Sequence, residues 1–173
     1  MNFLKLFLIS TLCACIIACN NNPDKINNLT YSRIFPLSPF FIEDEVVLSD
    51  SGNLPLKKKA CIRVFILENN IYDTGYLKKQ LLNFIDSTKE EKNFIRNYYK
   101  CSYWFYKTSS TLNKNYVEDP KRNSLGAHIY DHIGSLDYKD GLLNRIVFYR
   151  KTKIIFISYK KGKYASVQAY DYN

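Results

Sequence analysis

The sequence predicts an α+β fold: one mixed or antiparallel sheet of about five strands, one or two helices packed on one face, and a C-terminal β-meander. Three observations lead there. Residues 60–67 alternate two largely apolar rows, the pattern of a strand covered on both faces. Leu77, Leu81, Phe84 and Ile85 recur at helical spacing. Residues 145–149, 154–159 and 164–172 are strand-like runs joined by Arg150-Lys151-Thr152-Lys153 and Lys160-Lys161-Gly162-Lys163. Gly162 supplies the left-handed backbone that a hairpin needs.

Taken in order, Pro36, Pro39 and Pro55 read as an irregular lead-in around one short strand, 40–48, that ends at the Asp50-Ser51-Gly52-Asn53 turn. Lys57-Lys58-Lys59 reads as a solvated strand entrance. Ala60, Ile62, Val64 and Ile66 line one face of the first central strand, and Cys61, Arg63, Phe65 and Leu67 line the other. A helix opens at Thr74-Gly75. Ser87-Thr88-Lys89-Glu90 resembles a capping box, pointing to a second helix with Phe94, Ile95 and Tyr98 or to a kink in a longer one. Residues 102–108 form the next strand, with Trp104 and Tyr106 opposite Tyr103 and Phe105. If this strand runs parallel to 60–67 as its neighbour, Cys61 and Cys101 start side by side and a disulfide follows. Residues 109–125, with Pro120, read as a polar loop. In the last strand Ala165, Val167 and Ala169 should pack under helices. Tyr164, Ser166, Gln168, Tyr170 and Tyr172 should face the other way.

The N-terminus has a different character. Lys5 precedes an apolar run, 6–17, that is shorter than the ~20 residues of a membrane-spanning helix. Ile16-Ile17-Ala18-Cys19 follows, and then Asn20-Asn21-Asn22-Pro23. The tetrad resembles the lipobox of bacterial lipoproteins. That resemblance implies a signal peptide over 1–18, a lipidated Cys19, a tether over 19–30 and a single domain over 31–173. Asn20 is not the Asp that retains many such proteins in the inner membrane, so the outer membrane, facing the periplasm, is the expected address. An oxidising periplasm suits a Cys61–Cys101 pair.

Removing residues 1–18 deletes only Lys5 among the charged residues, so the excess of 25 basic over 16 acidic side chains barely changes. It concentrates late: residues 121–173 hold ten Lys and Arg against four Asp and Glu. Anionic lipid headgroups and acidic proteins are suitable partners for such a surface. Nucleic acid is not expected, for want of a binding motif and on account of the compartment.

Motifs for catalysis are weak. His128 and His132 have the i, i+4 spacing of two metal ligands, with Asp137 or Asp140 as a third. Ile129, Tyr130 and Ile133 between Gly126 and Gly134 look like strand, and structural histidines are the expectation. Ser109 and Ser110 lack nucleophile-elbow glycines. Glu43-Asp44-Glu45 and Glu118-Asp119 read as solvated acids, not as a glycosidase pair. No cofactor is expected. The reading is a non-catalytic binding module on a lipid tether. Its alternative is an immunity lipoprotein that neutralises a toxin in the periplasm, which small basic lipoproteins resemble in general form. Tyr164, Tyr170 and Tyr172 beside Lys151, Lys153 and Lys161 form the expected binding face for an acidic protein. The bland alternative is that these rings pack on Phe40 and Phe41. Replacing Cys19 by Ser is expected to abolish metabolic palmitate labelling and to leave a soluble or unprocessed form. Membrane fractionation of the processed Cys19→Ser chain, with no label on the wild type, would refute lipidation.

Overall fold

The computed structural model describes residues 32–47, 56–69, 71, 73–117, 119 and 124–172. Cys19, the signal and tether segments, the Asp50-Ser51-Gly52-Asn53 turn, Pro55, Glu118 and Pro120 lie outside the described residues, as do the side chains of Phe40 and Phe41. Seven strands form one mixed sheet in sequential order: β1 (Ile34–Val47), β2 (Leu56–Leu67), β3 (Lys100–Lys107), β4 (His132–Lys139), β5 (Leu142–Tyr149), β6 (Lys153–Lys160) and β7 (Lys163–Asp171). Only β2 and β3 are parallel. The crossover between them carries α1 (Thr74–Ser87) and α2 (Lys89–Asn97), as a parallel pair requires. The expected meander closes the chain.

The strand count is seven, not about five. The expected short strand, 40–48, belongs to the longer β1, which runs back through the lead-in because an edge strand tolerates Pro36 and Pro39 where a central one would not. β4 was hidden because Gly134, Ser135 and Asp137 sit at buried positions, so its hydropathy does not alternate. The run around Ile129 and Tyr130 is a 3-10 turn, Leu125–Asp131, and strand begins only at His132. The loop before it is not simply polar: Leu112, Tyr116 and Leu125 are buried in it.

Leu77, Leu81 and Ile85 of α1 are fully buried against the face of the sheet that carries Phe65, Tyr103, Leu136 and Ile146. There Phe65 stacks on Phe105 at 5.5 Å and meets Phe84 edge-on at 5.2 Å. Asp73 caps α1 by accepting the Tyr76 amide at 2.6 Å. The expected capping box does not form. Ser87 and Thr88 both donate to Phe84 O, and Thr88, without a side-chain cap bond, starts α2. These hydroxyls serve the end of α1 because its last carbonyls also need partners. Arg63 pins α2 to β2: its Nε and Nη2 donate to Glu91 Oε2 and Oε1 at 3.2 and 2.8 Å, and its guanidinium lies 4.5 Å from the Phe94 ring. Glu91 is 2% exposed, so loss of Arg63 alone would strand a buried carboxylate.

On the opposite face Val64, Ile66 and Tyr106 pack beneath Leu112, Tyr116 and Leu125. The expectation for β7 fails. Ala165, Val167 and Ala169 do not lie under helices; every residue of β7 is exposed. The helix-face core ends at Ile155, Ile157 and Tyr159 of β6, and two helices are too few to cover a sheet of this width. Turns Asp140-Gly141 and Lys161-Gly162 have positive φ at both positions, 50° and 78°, then 52° and 75°, as two-residue hairpins demand.

Cys61 and Cys101 stand opposite each other in the parallel register, their Cα atoms 4.8 Å apart, and are joined as a disulfide. The bond encloses both helices. Closing a loop with a sequence separation of 40 is worth about 4 kcal/mol on the chain-entropy scale. The Cys61→Ala, Cys101→Ala double variant is expected to lose about 2–4 kcal/mol in urea unfolding. An unchanged midpoint would show that the bridge adds nothing.

Candidate functional site

The helix-free face of the sheet holds a cleft of about 740 Å³. Its floor follows from strand parity and register. One row across the sheet reads Ile62, Ser102, Asp137, Arg145, Ser158. The next reads Val64, Trp104, Ser135, Val147, Phe156. Leu125, Gly126 and Ile129 of the 3-10 turn make one wall, and Tyr106, His132 and Tyr149 close one end.

The polar row is a linked set. Asp137 Oδ1 accepts the Ser102 hydroxyl at 2.8 Å, and Oδ2 accepts Arg145 Nε and Nη2 at 2.8 and 2.7 Å. Asp137 is buried, whereas the Arg145 side chain is half exposed, so the guanidinium ties a buried carboxylate to the cleft surface.

At the aromatic end the His132 ring lies between Tyr106, 4.6 Å away and nearly parallel, and Tyr149, 4.4 Å away. Its Nε2 is 3.1 Å from Gly134 O. A carbonyl only accepts, so Nε2 carries the proton and Nδ1 the lone pair. Burial lowers the imidazole to about 4, against a smaller raising effect of the Gly134 bond. Burial likewise pushes the Tyr149 hydroxyl up.

The two histidines are therefore not one site. His128, in the 3-10 turn, bonds Asp131 through Nδ1 at 3.2 Å and meets Tyr116 edge-on, while His132 faces the cleft. Asp137 is held by Arg145, and Asp140 sits in the β4–β5 turn. Among the described residues no group of three His, Cys, Asp or Glu side chains could hold a metal ion. None of their helices is long and apolar enough to cross a membrane.

The expected binding face is rearranged by one irregularity. Ser158 pairs with Ser166 but Tyr159 pairs with Tyr164, so Ala165 is an extra residue and the parity of β7 flips there. Tyr164 thus joins Tyr159 on the helix side, while Tyr170 meets Phe156 edge-on at 5.6 Å on the cleft side. Tyr164, Tyr170 and Tyr172 are 61%, 55% and 51% exposed, so none is a core residue. Lys151 and Lys153 lie at the same end as Tyr170 and Tyr172. Lys161, in the β6–β7 turn, lies at the other end beside Tyr164. The single face expected from parity is two smaller ones.

Trp104, Tyr106, Tyr149, Ser102 and Arg145 are not singled out from sequence as a site, and Asp137 is named there only as a third metal ligand for the two histidines. The signal for half of them was present, since Ser102, Trp104 and Tyr106 share one parity of β3. The other half depended on recognising β4. No protein-family model, curated protein or solved structure matches the chain.

The His132 environment makes stability depend on pH. The unfolded imidazole takes up a proton near 6.5 and the folded one only near 4. Falling pH across that window therefore favours the unfolded chain. The wild type is expected to lose on the order of 3 kcal/mol from this group between those limits. In His132→Phe that component should vanish from urea unfolding measured against pH. Equal slopes for both proteins would show that His132 is not held neutral.

Proposed function

We propose that the chain is a lipid-anchored, non-catalytic binding module of the bacterial envelope, held to the outer membrane through Cys19 and facing the periplasm. Its partner is received on the helix-free face. The observation that carries this reading is the commitment of the cleft's polar groups. Asp137 is taken up by Arg145 and Ser102, and His132 hydrogen-bonds Gly134 between two tyrosine rings. A nucleophile needs its base within reach. Here Ser102 donates to a carboxylate whose other oxygen is held by arginine, with no imidazole between them. Such groups fix shape and orientation.

Aromatic walls with a few positioned polar groups are the usual make-up of a recognition cleft. Trp104, Tyr106, Tyr149 and Phe156 supply apolar area whose rings lose little freedom when covered. The exposed Tyr170 and Tyr172 extend this surface past β6.

Ile129 provides the test, because it lines the cleft yet is 68% exposed, so changing it spares the core. Cross-linking in intact envelopes, followed by purification through a C-terminal tag, reads the captured partner. Ile129→Arg is expected to cut capture by about tenfold while the melting temperature stays unchanged. Tyr130→Ala, at a residue 91% exposed and outside the cleft lining, should leave capture intact. If Ile129→Arg and Phe156→Ala both capture as the wild type does, the cleft is not the receiving surface.

A further inference from the structure

The two edges of the sheet are built differently. β1 carries Pro36 and Pro39, a register break between Leu37 and Phe41, and the acidic run Glu43-Asp44-Glu45. Prolines, breaks and charges are how edge strands turn away a further strand. β7 has little of this. Residues 164–170 hold no charge and no proline, and its one irregularity sits near its start, at Ala165.

The open edge can be assigned residue by residue. Lys153 faces Asp171 in the register, and just beyond, the Tyr172 amide donates to Thr152 O at 2.8 Å. Along an antiparallel pair, residues alternate between bonding their neighbour and turning their amide groups away. Tyr172, Tyr170 and Gln168 therefore bond toward β6. Asp171, Ala169 and Val167 turn N–H and C=O to the open side. Their flanking side chains are uncovered too, with Val167 and Tyr170 each 55% exposed.

Charge says what fits there. Lys160, Lys161 and Lys163 stand at one end of the edge and Lys151 and Lys153 at the other, all exposed, against Asp171 as the acid of β7. We propose that β7 docks an acidic, extended polypeptide segment as a further strand of the sheet. Its acids, near its two ends, meet these lysines, and the apolar side chains between them pack beside Val167 on the helix side and Tyr170 on the cleft side. The proposal rests on the binding-module reading but uses the sheet edge and not the cleft. In this mode main-chain bonds give affinity, and side-chain contacts select the partner. A second copy of the chain fits less well. Two-fold pairing of β7 with β7 would set the lysine-rich hairpin tip of one copy against Lys151 and Lys153 of the other. The extra residue at Ala165 also keeps Tyr164 and Tyr170 on opposite faces, where they cannot pair.

The test uses the full chain in detergent micelles and three fluorescent synthetic peptides. One carries Glu at both ends of a Val- and Tyr-bearing centre, the second has Lys in place of Glu, and the third is the acidic peptide N-methylated at alternate residues. The acidic peptide is expected to bind in the micromolar range by anisotropy, and the other two to bind about tenfold more weakly or worse. Ala169→Pro removes one outward N–H and leaves the β6 bonds, so it should weaken the acidic peptide about tenfold at an unchanged melting temperature. Ile129→Arg should leave peptide binding intact. Absence of binding, equal binding of the N-methylated or basic peptide, or an unaffected Ala169→Pro would each overturn the proposal. The N-methylated peptide decides even if Ala169→Pro does not fold. Loss of peptide binding in Ile129→Arg would move the ligand to the cleft, overturning the edge proposal while sparing the binding-module reading. Dimers in sedimentation that Ala169→Pro dissolves would give the edge to a second copy.

Discussion

The parallel pairing of β2 with β3 is the constraint on which the rest of the molecule depends. Two neighbouring parallel strands cannot be joined by a hairpin, so the chain must leave the sheet, cross it and return to the starting edge. Here the crossing is made by α1 and α2, and both land on the face carrying Phe65 and Tyr103, where Leu77, Leu81 and Ile85 bury fully. The Cys61–Cys101 bond ties the middle of β2 to the start of β3 across the register and encloses the crossover. Arg63 and Glu91 then fix α2 over β2 through a paired contact away from water.

One-sided coverage has a direct consequence for the opposite face. With both helices spent on one side, the other can be covered only by irregular chain. The loop bearing Leu112 and Tyr116 and the 3-10 turn cover the face over β2 and β3. Past them the floor stays open, and the cleft is the space left between the turn and strands β2 to β6. Its groups are prevented from collapsing by partners within the sheet: Arg145 on Asp137, and tyrosine rings on either side of His132. A polar row in the middle of a sheet is tolerated because each buried oxygen has a donor.

Coverage also ends short of the last strand. The core stops at β6, so β7 keeps both faces and one edge in water. The tyrosines there are held mainly by neighbours on β6, Tyr164 by Tyr159 and Tyr170 by Phe156. Truncating either would remove little buried area, which separates their use in recognition from any use in stability.

The amino-acid sequence by itself determined which segments fold and how their side chains alternate. Period-two rows in β2 and β3, helical spacing in α1 and the glycine-bearing turn at Gly162 are local signals, and local backbone preference is enough to set them. The placement of Cys61 beside Cys101 followed from one further assumption, that the strands flanking the helices are neighbours. Tertiary structure alone decided three things. It made Pro36 and Pro39 part of a strand, because only an edge position spares their missing N–H groups. It made β4 a central strand despite Gly134, Ser135 and Asp137, because Arg145, across the β4–β5 hairpin, and Ser102, remote in sequence, supply what Asp137 needs in order to be buried. It also left β7 uncovered and flipped its parity at Ala165, because the reach of a helix layer and the position of an extra residue depend on neighbouring elements, which a strand's own hydropathy does not record.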